Sequence, residues 1–89
     1  MKIPKRIVMP FGWAVTVKVC DPMSFKDALG RSLNDPDCFA WWIHEKRTIY
    51  LSTKRSMRQR RADLIHEMGH VLTDWQSDMQ WRREVDVKS

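Results

Sequence analysis

The chain has 89 residues, enough for one small domain and too few for a barrel enzyme, a two-domain dehydrogenase, a P-loop ATPase core or a repeat array. Its 43% hydrophobic and 30% charged residues are those of a globular protein rather than a disordered segment. Sixteen Lys and Arg against eleven Asp and Glu leave a net charge of +5, which favours anionic partners without specifying one.

Lys2, Lys5 and Arg6 precede an apolar run from Ile7 to Val19, superficially a secretory leader. Pro10, Gly12, Thr16 and Lys18 interrupt that run and no small-x-small site follows, so secretion is not expected. Trp13, Val15, Val17 and Val19 alternate with Ala14, Thr16 and Lys18, the period-2 pattern of a half-buried strand. Asp21-Pro22 stops it. Ser24 to Leu29 reads as a short helix, with Ser24 as N-cap and Gly30 as terminator. Asn34 to Asp37 is a turn. Cys20 and Cys38 fall outside any CxxC spacing and are expected as buried or half-buried thiols at strand ends.

Cys38 to His44 and Thr48 to Ser52 form a hairpin candidate, rich in aromatic and β-branched residues and joined by Glu45-Lys46-Arg47. Ile49 and Leu51 share one face of its second strand; Thr48, Tyr50 and Ser52 share the other. From about Ser56 the period turns helical. Ile65, Met68, Leu72, Trp75 and Met79 follow i, i+3, i+7, i+10, i+14, an apolar stripe expected to face the core. His66, His70 and Asp74 lie off that stripe.

Lys54, Arg55, Arg58, Arg60 and Arg61 put five cations in eight positions at the helix entry. A solvated helix start accounts for them; a weak nucleic-acid contact through Lys54–Arg61 is their functional reading. No stretch approaches the 18 apolar residues of a membrane span, so no membrane partner and a cytoplasmic location are expected. The fold class expected is α+β: a small twisted sheet of about three strands, including the hairpin, packed on one long helix, with residues 1–89 as a single domain.

His66-Glu67-Met68-Gly69-His70 is H-E-x-x-H. On a helix the two imidazoles are one turn apart on one face, so both can reach one metal ion. Glu67 is too close in sequence to complete the same ligand set, and is placed to act as general base on a zinc-activated water.

The stretch from Leu64 to Trp75 (LIHEMGHVLTDW) resembles the active-site helix of a zincin metallopeptidase. Its continuation, His70-x-x-x-Asp74 before an aromatic, is similar to that of the gluzincins. The layout of hairpin, Arg-containing helix entry, L-I-H-E-x-x-H and acidic tail also resembles very small zincins carried by phages and mobile elements. The resemblance covers roughly residues 38–86. It implies a zinc-dependent endopeptidase acting on a protein or peptide substrate, with a strand of the Cys38–Ser52 hairpin pairing with an extended substrate.

Catalytic zinc usually has three protein ligands. The metzincin position, six residues past His70, is Gln76, which excludes that pattern. If Ser77-Asp78 ends the helix and the chain folds back, Glu84 supplies the third ligand, as the corresponding Glu does in gluzincins. Asp74 stands as a second-shell partner or alternative third ligand; Asp78, Asp86 or no protein ligand complete the options. Trp42, His44 and Tyr50 are candidates for the substrate groove, His44 and Tyr50 also for oxyanion stabilisation. The competing readings are a catalytically inactive zincin-like protein, a basic nucleic-acid- or protein-binding module, and a structural zinc site that uses the cysteines.

Overall fold

The computed structural model describes residues 3–10 and 12–88, with side chains described through residue 79. Four strands and one long helix are arranged as β1 (Arg6–Val8), β2 (Ala14–Cys20), a 3-10 turn at Pro22–Ser24, β3 (Ala40–Ile43), β4 (Thr48–Ser52) and α1 (Met57–Lys88). The expected α+β class and the single sheet with one helix are observed.

The sheet order is β1-β2-β4-β3. β1 is antiparallel to β2, β2 is parallel to β4, and β3 is antiparallel to β4. The hairpin forms in the expected place, with Arg47 closing its turn at φ 46°. Its second strand is not peripheral: β4 lies between β2 and β3, and all five of its residues are buried. The expected division of faces in β4 holds. Ile49 and Leu51 join Trp13, Val15, Val17 and Val71 in a core under the helix. Tyr50 joins Phe25 and Ile43 in a second core on the opposite face, beneath the segment that leads into β3.

Two departures lie in the N-terminal half. β1 is a fourth strand beyond the three expected, returned to β2 by a tight turn in which Met9 N donates to Trp13 O and Gly12 N donates to Met9 O at 2.8 and 2.9 Å. Gly12 sits at φ 92°, which only glycine adopts cheaply. The helix expected over Ser24–Leu29 is absent. Asp21 instead caps a 3-10 turn begun by Pro22, its carboxylate accepting from Met23 N at 2.9 Å. Fully buried Phe25 then pulls the chain into extended backbone. Asp27 accepts from Leu29 N and Arg31 N, closing a loop where a helix would have continued.

α1 begins in a reciprocal capping box. Ser56 Oγ accepts from Gln59 N at 3.2 Å and Gln59 Oε1 accepts from Ser56 N at 3.0 Å, which satisfies two amides the helix leaves without partners. Arg60 Nε donates to Ser52 O and Arg60 Nη2 to Thr53 O, each at 3.1 Å, tying the first turn to the end of β4. Arg55 grips Asp63 through two bonds of 3.0 and 3.2 Å. These anchors set the rotation of the helix, and the rotation is not the expected one. Ile65 is 73% exposed, Leu72 42% and Met79 47%. Among the described residues the buried positions of α1 are Glu67 and Val71, flanked by half-buried Leu64, Met68 and Trp75. Two apolar rows share Met68 and Trp75, and the sheet selects the row that contains Val71.

Candidate metal centre and cleft

α1 carries the H-E-x-x-H segment across the helix-facing side of the sheet. His66 and His70 lie on the exposed outer flank, with ring centroids 5.0 Å apart and planes at 82°. Two imidazoles so placed fit a shared ion, whose Zn–N distances are about 2.0–2.1 Å. Glu67 turns the other way, toward the sheet, and keeps only 8% of its surface exposed. Burial pushes its carboxyl upward from the usual value; His70 and then His66 counteract this, and Asp63 adds to it.

A shallow cleft of about 320 Å³ opens beside this segment, lined by Trp41, Trp42, Glu67, His70 and Asp74. It lies between α1 and β3, which is the edge strand of the sheet. The H-E-x-x-H segment, Asp74 and the hairpin are thus brought together. Trp42 donates from Nε1 to Asp74 Oδ2 at 2.6 Å. The indole is half-buried against the helix-side core, so the Asp74 carboxylate is held from the strand side, one turn beyond His70.

Other candidates are placed elsewhere. Tyr50 is buried on the sheet face away from α1, stacked on Phe25 with centroids 5.1 Å apart, so it does not reach the cleft. His44 is exposed just past the end of β3, 5.7 Å from the Trp13 ring and 6.4 Å from Trp42, and is not a cleft-lining residue. Trp41, not singled out for the groove in preference to Trp42, lines the cleft with it.

The fold-back at Ser77-Asp78 is not formed, because α1 continues to Lys88. The side chains of Glu84 and Asp86 lie outside the described residues. Among the described residues no three His, Cys, Asp or Glu side chains are gathered closely enough to hold a metal. Among the described residues the pair His66 and His70 is what fits an ion, with Asp74 one turn further along the same helix.

The basic entry is largely occupied within the fold. Arg55 is paired with Asp63 and also covers the Phe39 ring at 4.2 Å. Arg60 caps the β4 carbonyls, and Lys54 Nζ donates to Pro36 O at 3.3 Å. Cys20 and Cys38 are free, half-buried thiols, and burial raises the pKa of both. Among the described residues no helix is long and apolar enough to cross a membrane. Comparison with protein-family models, curated proteins and solved structures finds no match for this chain.

Proposed function

We propose that this chain is a small cytoplasmic zinc metalloendopeptidase of the zincin type. The observation that carries the proposal is the pairing of His66 and His70 at 5.0 Å on the outer flank of α1, with Glu67 buried beside them on the cleft that it and His70 line with Trp41, Trp42 and Asp74. His66 and His70 would hold the ion. Asp74, fixed by Trp42, either accepts from a ligand imidazole or closes the coordination sphere. When bound, zinc supplies Lewis acidity that makes water nucleophilic near neutral pH and polarises a carbonyl.

The chain's own residues supply the rest. Glu67 takes the proton of the attacking water and passes it to the departing amine. Its burial keeps competing solvent from the carboxylate and disfavours its charged form, which suits a group that must cycle between protonation states. β3, at the sheet edge, offers main-chain groups to an extended peptide, and the two indoles wall the cleft beside the reacting centre. The substrate is accordingly a peptide bond in an extended segment of protein.

The test is cleavage of an unfolded protein or a mixed fluorogenic peptide library by zinc-loaded protein. Glu67→Ala is expected to retain zinc and fold while losing activity by at least about 100-fold. Cleavage by Glu67→Ala at the wild-type rate would rule the mechanism out.

A further inference from the structure

At the sheet edge opposite β3, the pairing of β2 is incomplete. β1 pairs with Ala14, Val15 and Thr16, and the contact ends where Val17 N donates to Lys5 O at 2.8 Å. Pro4 has no amide hydrogen with which to extend it. Alternate residues of a strand address the same neighbour, so Val19 turns its amide to the same side as Val17. Among the described residues no strand meets it there. A second cleft, of about 700 Å³, opens at this place, bordered by residues 3–5 before β1 and by Ser24 and Lys26 after β2. Every β2 residue from Thr16 to Cys20 lines it. Consecutive strand residues point to opposite faces, so a cleft lined by all of them runs along the open edge.

The charge of this cleft has one sign. Lys5, Lys18 and Lys26 reach it from three separate segments, and no Asp or Glu is among its lining residues. Among the described residues none of these ammonium groups is in an ion pair. Burial raises the Cys20 thiol pKa, the Lys18 charge lowers it and Asp21 raises it, which sets the Lys18 charge beside a lining residue. Thr16 and Ser24 add hydroxyls, and buried Tyr50, the register partner of Lys18, backs the cleft. Ile3, Pro4 and Val19 form an apolar wall. A concave site lined by like charges concentrates anions. Its volume is that of a site for a small organic molecule and exceeds what a bare inorganic ion fills.

We propose that this second cleft binds a small organic phosphate of nucleotide size, its phosphate held by Lys5, Lys18, Lys26 and the Val19 amide, its carbon skeleton against Ile3, Pro4 and Val19. Phosphate suits the donors better than carboxylate does. A phosphate ester brings a charge of about −1.5 to −2 and three acceptor oxygens, which several ammonium groups and an amide can share, where a carboxylate brings a single charge. The site lies at the opposite sheet edge from β3 and stands independently of the peptidase proposal.

Amide NMR shifts of the full chain, titrated with ATP and separately with inorganic phosphate, test this. ATP is expected to move the amides of Val17 to Cys20 and of Ser24 to Lys26 saturably, with Kd below about 1 mM. Inorganic phosphate should move the same amides with at least about 10-fold weaker affinity, since it lacks a skeleton for the apolar wall. Lys18→Gln/Lys26→Gln, at exposed positions, is expected to weaken ATP binding by at least about 10-fold with unchanged near- and far-ultraviolet circular dichroism. Lys46→Gln/Arg58→Gln removes the same charge from exposed positions outside the cleft and should leave ATP affinity almost unchanged. The absence of saturable ATP shifts, shifts centred on Arg58 to Arg61, phosphate binding as tight as that of ATP, or equal weakening by the two double variants would each overturn the proposal.

Discussion

Trp42 and Asp74, 32 residues apart in sequence, are joined by a 2.6 Å hydrogen bond from the edge strand to the helix one turn past His70. The bond ties α1 to the edge strand and fixes the position of a carboxylate that lines the same cleft as His70 and Glu67. Trp42→Phe keeps the aromatic packing and removes the donor. It is expected to lower stability by about 1.5–3 kcal/mol, the range for a hydrogen bond to a charged group. Zinc affinity is expected to fall with it, as when a supporting partner of a metal site is lost. Denaturant titration and competitive zinc titration of the same variant check both effects.

Val71 lies where the sheet meets the helix and is fully buried. Val71→Ala is expected to cost about 2 kcal/mol through lost burial and a residual cavity. Leu51→Ala, in the same core, should cost 2–5 kcal/mol. Chemical denaturation resolves both, and a cost below about 0.5 kcal/mol for Val71→Ala would contradict the observed helix rotation.

The capping box gives a local prediction. Ser56→Ala should cost about 1 kcal/mol, because Gln59 N then loses its acceptor at the helix start. Ser56→Gly should cost only a few tenths. Thermal melting separates the two, since 1 kcal/mol shifts Tm by about 4–8 °C in a domain of this size.

Cys20 and Cys38 have thiol pKa values raised by burial, which is the leading cause for each. The folded protein therefore holds these protons to higher pH than the unfolded chain does. Their contribution to stability is fully present below the unfolded thiol pKa of about 8.5 and is lost as pH rises through the folded values. Denaturation midpoints at a series of pH values from neutral upward should fall in the alkaline range. The fall should be shallower in Cys20→Ser/Cys38→Ser.

Glu67 illustrates the tension between stability and activity. A carboxylate buried against the sheet pays for desolvation that a neutral isostere avoids. Glu67→Gln is expected to leave the metal-free protein as stable as wild type or more so, by up to about 1 kcal/mol, while abolishing hydrolysis. Paired denaturation and peptide-cleavage assays check this.

The hairpin and the start of α1 were legible because their signals are local: aromatic and β-branched runs around a charged link, and a change of period after Ser56. The H-E-x-x-H spacing likewise needs nothing beyond helix geometry to bring His66 and His70 together. What was not legible depends on partners distant in sequence. Nothing near Arg6–Val8 announces a strand, since its three residues are ordered by pairing with β2. Nor does the hairpin reveal that β4 will sit beside β2. The segment after Pro22 departs from its local helix signal because Phe25 is held by a core completed by Tyr50, distant in sequence. The buried face of α1 is not legible from periodicity because the helix has two apolar rows, and the Arg60, Asp63 and Asp74 anchors come from partners distant in sequence. The helix end expected at Ser77-Asp78 does not form, because neither residue is a strong enough breaker to stop α1.

Zinc stoichiometry is the most direct test of the central claim. Elemental analysis of protein purified without added metal, and again after zinc reconstitution and desalting, should find close to one zinc per chain in wild type and in Glu67→Ala. His66→Ala and His70→Ala should lose it, and Asp74→Ala should weaken it more than Glu84→Ala does. Zinc absent from reconstituted wild type, or retained in both single His variants, would contradict a metal centre on this helix.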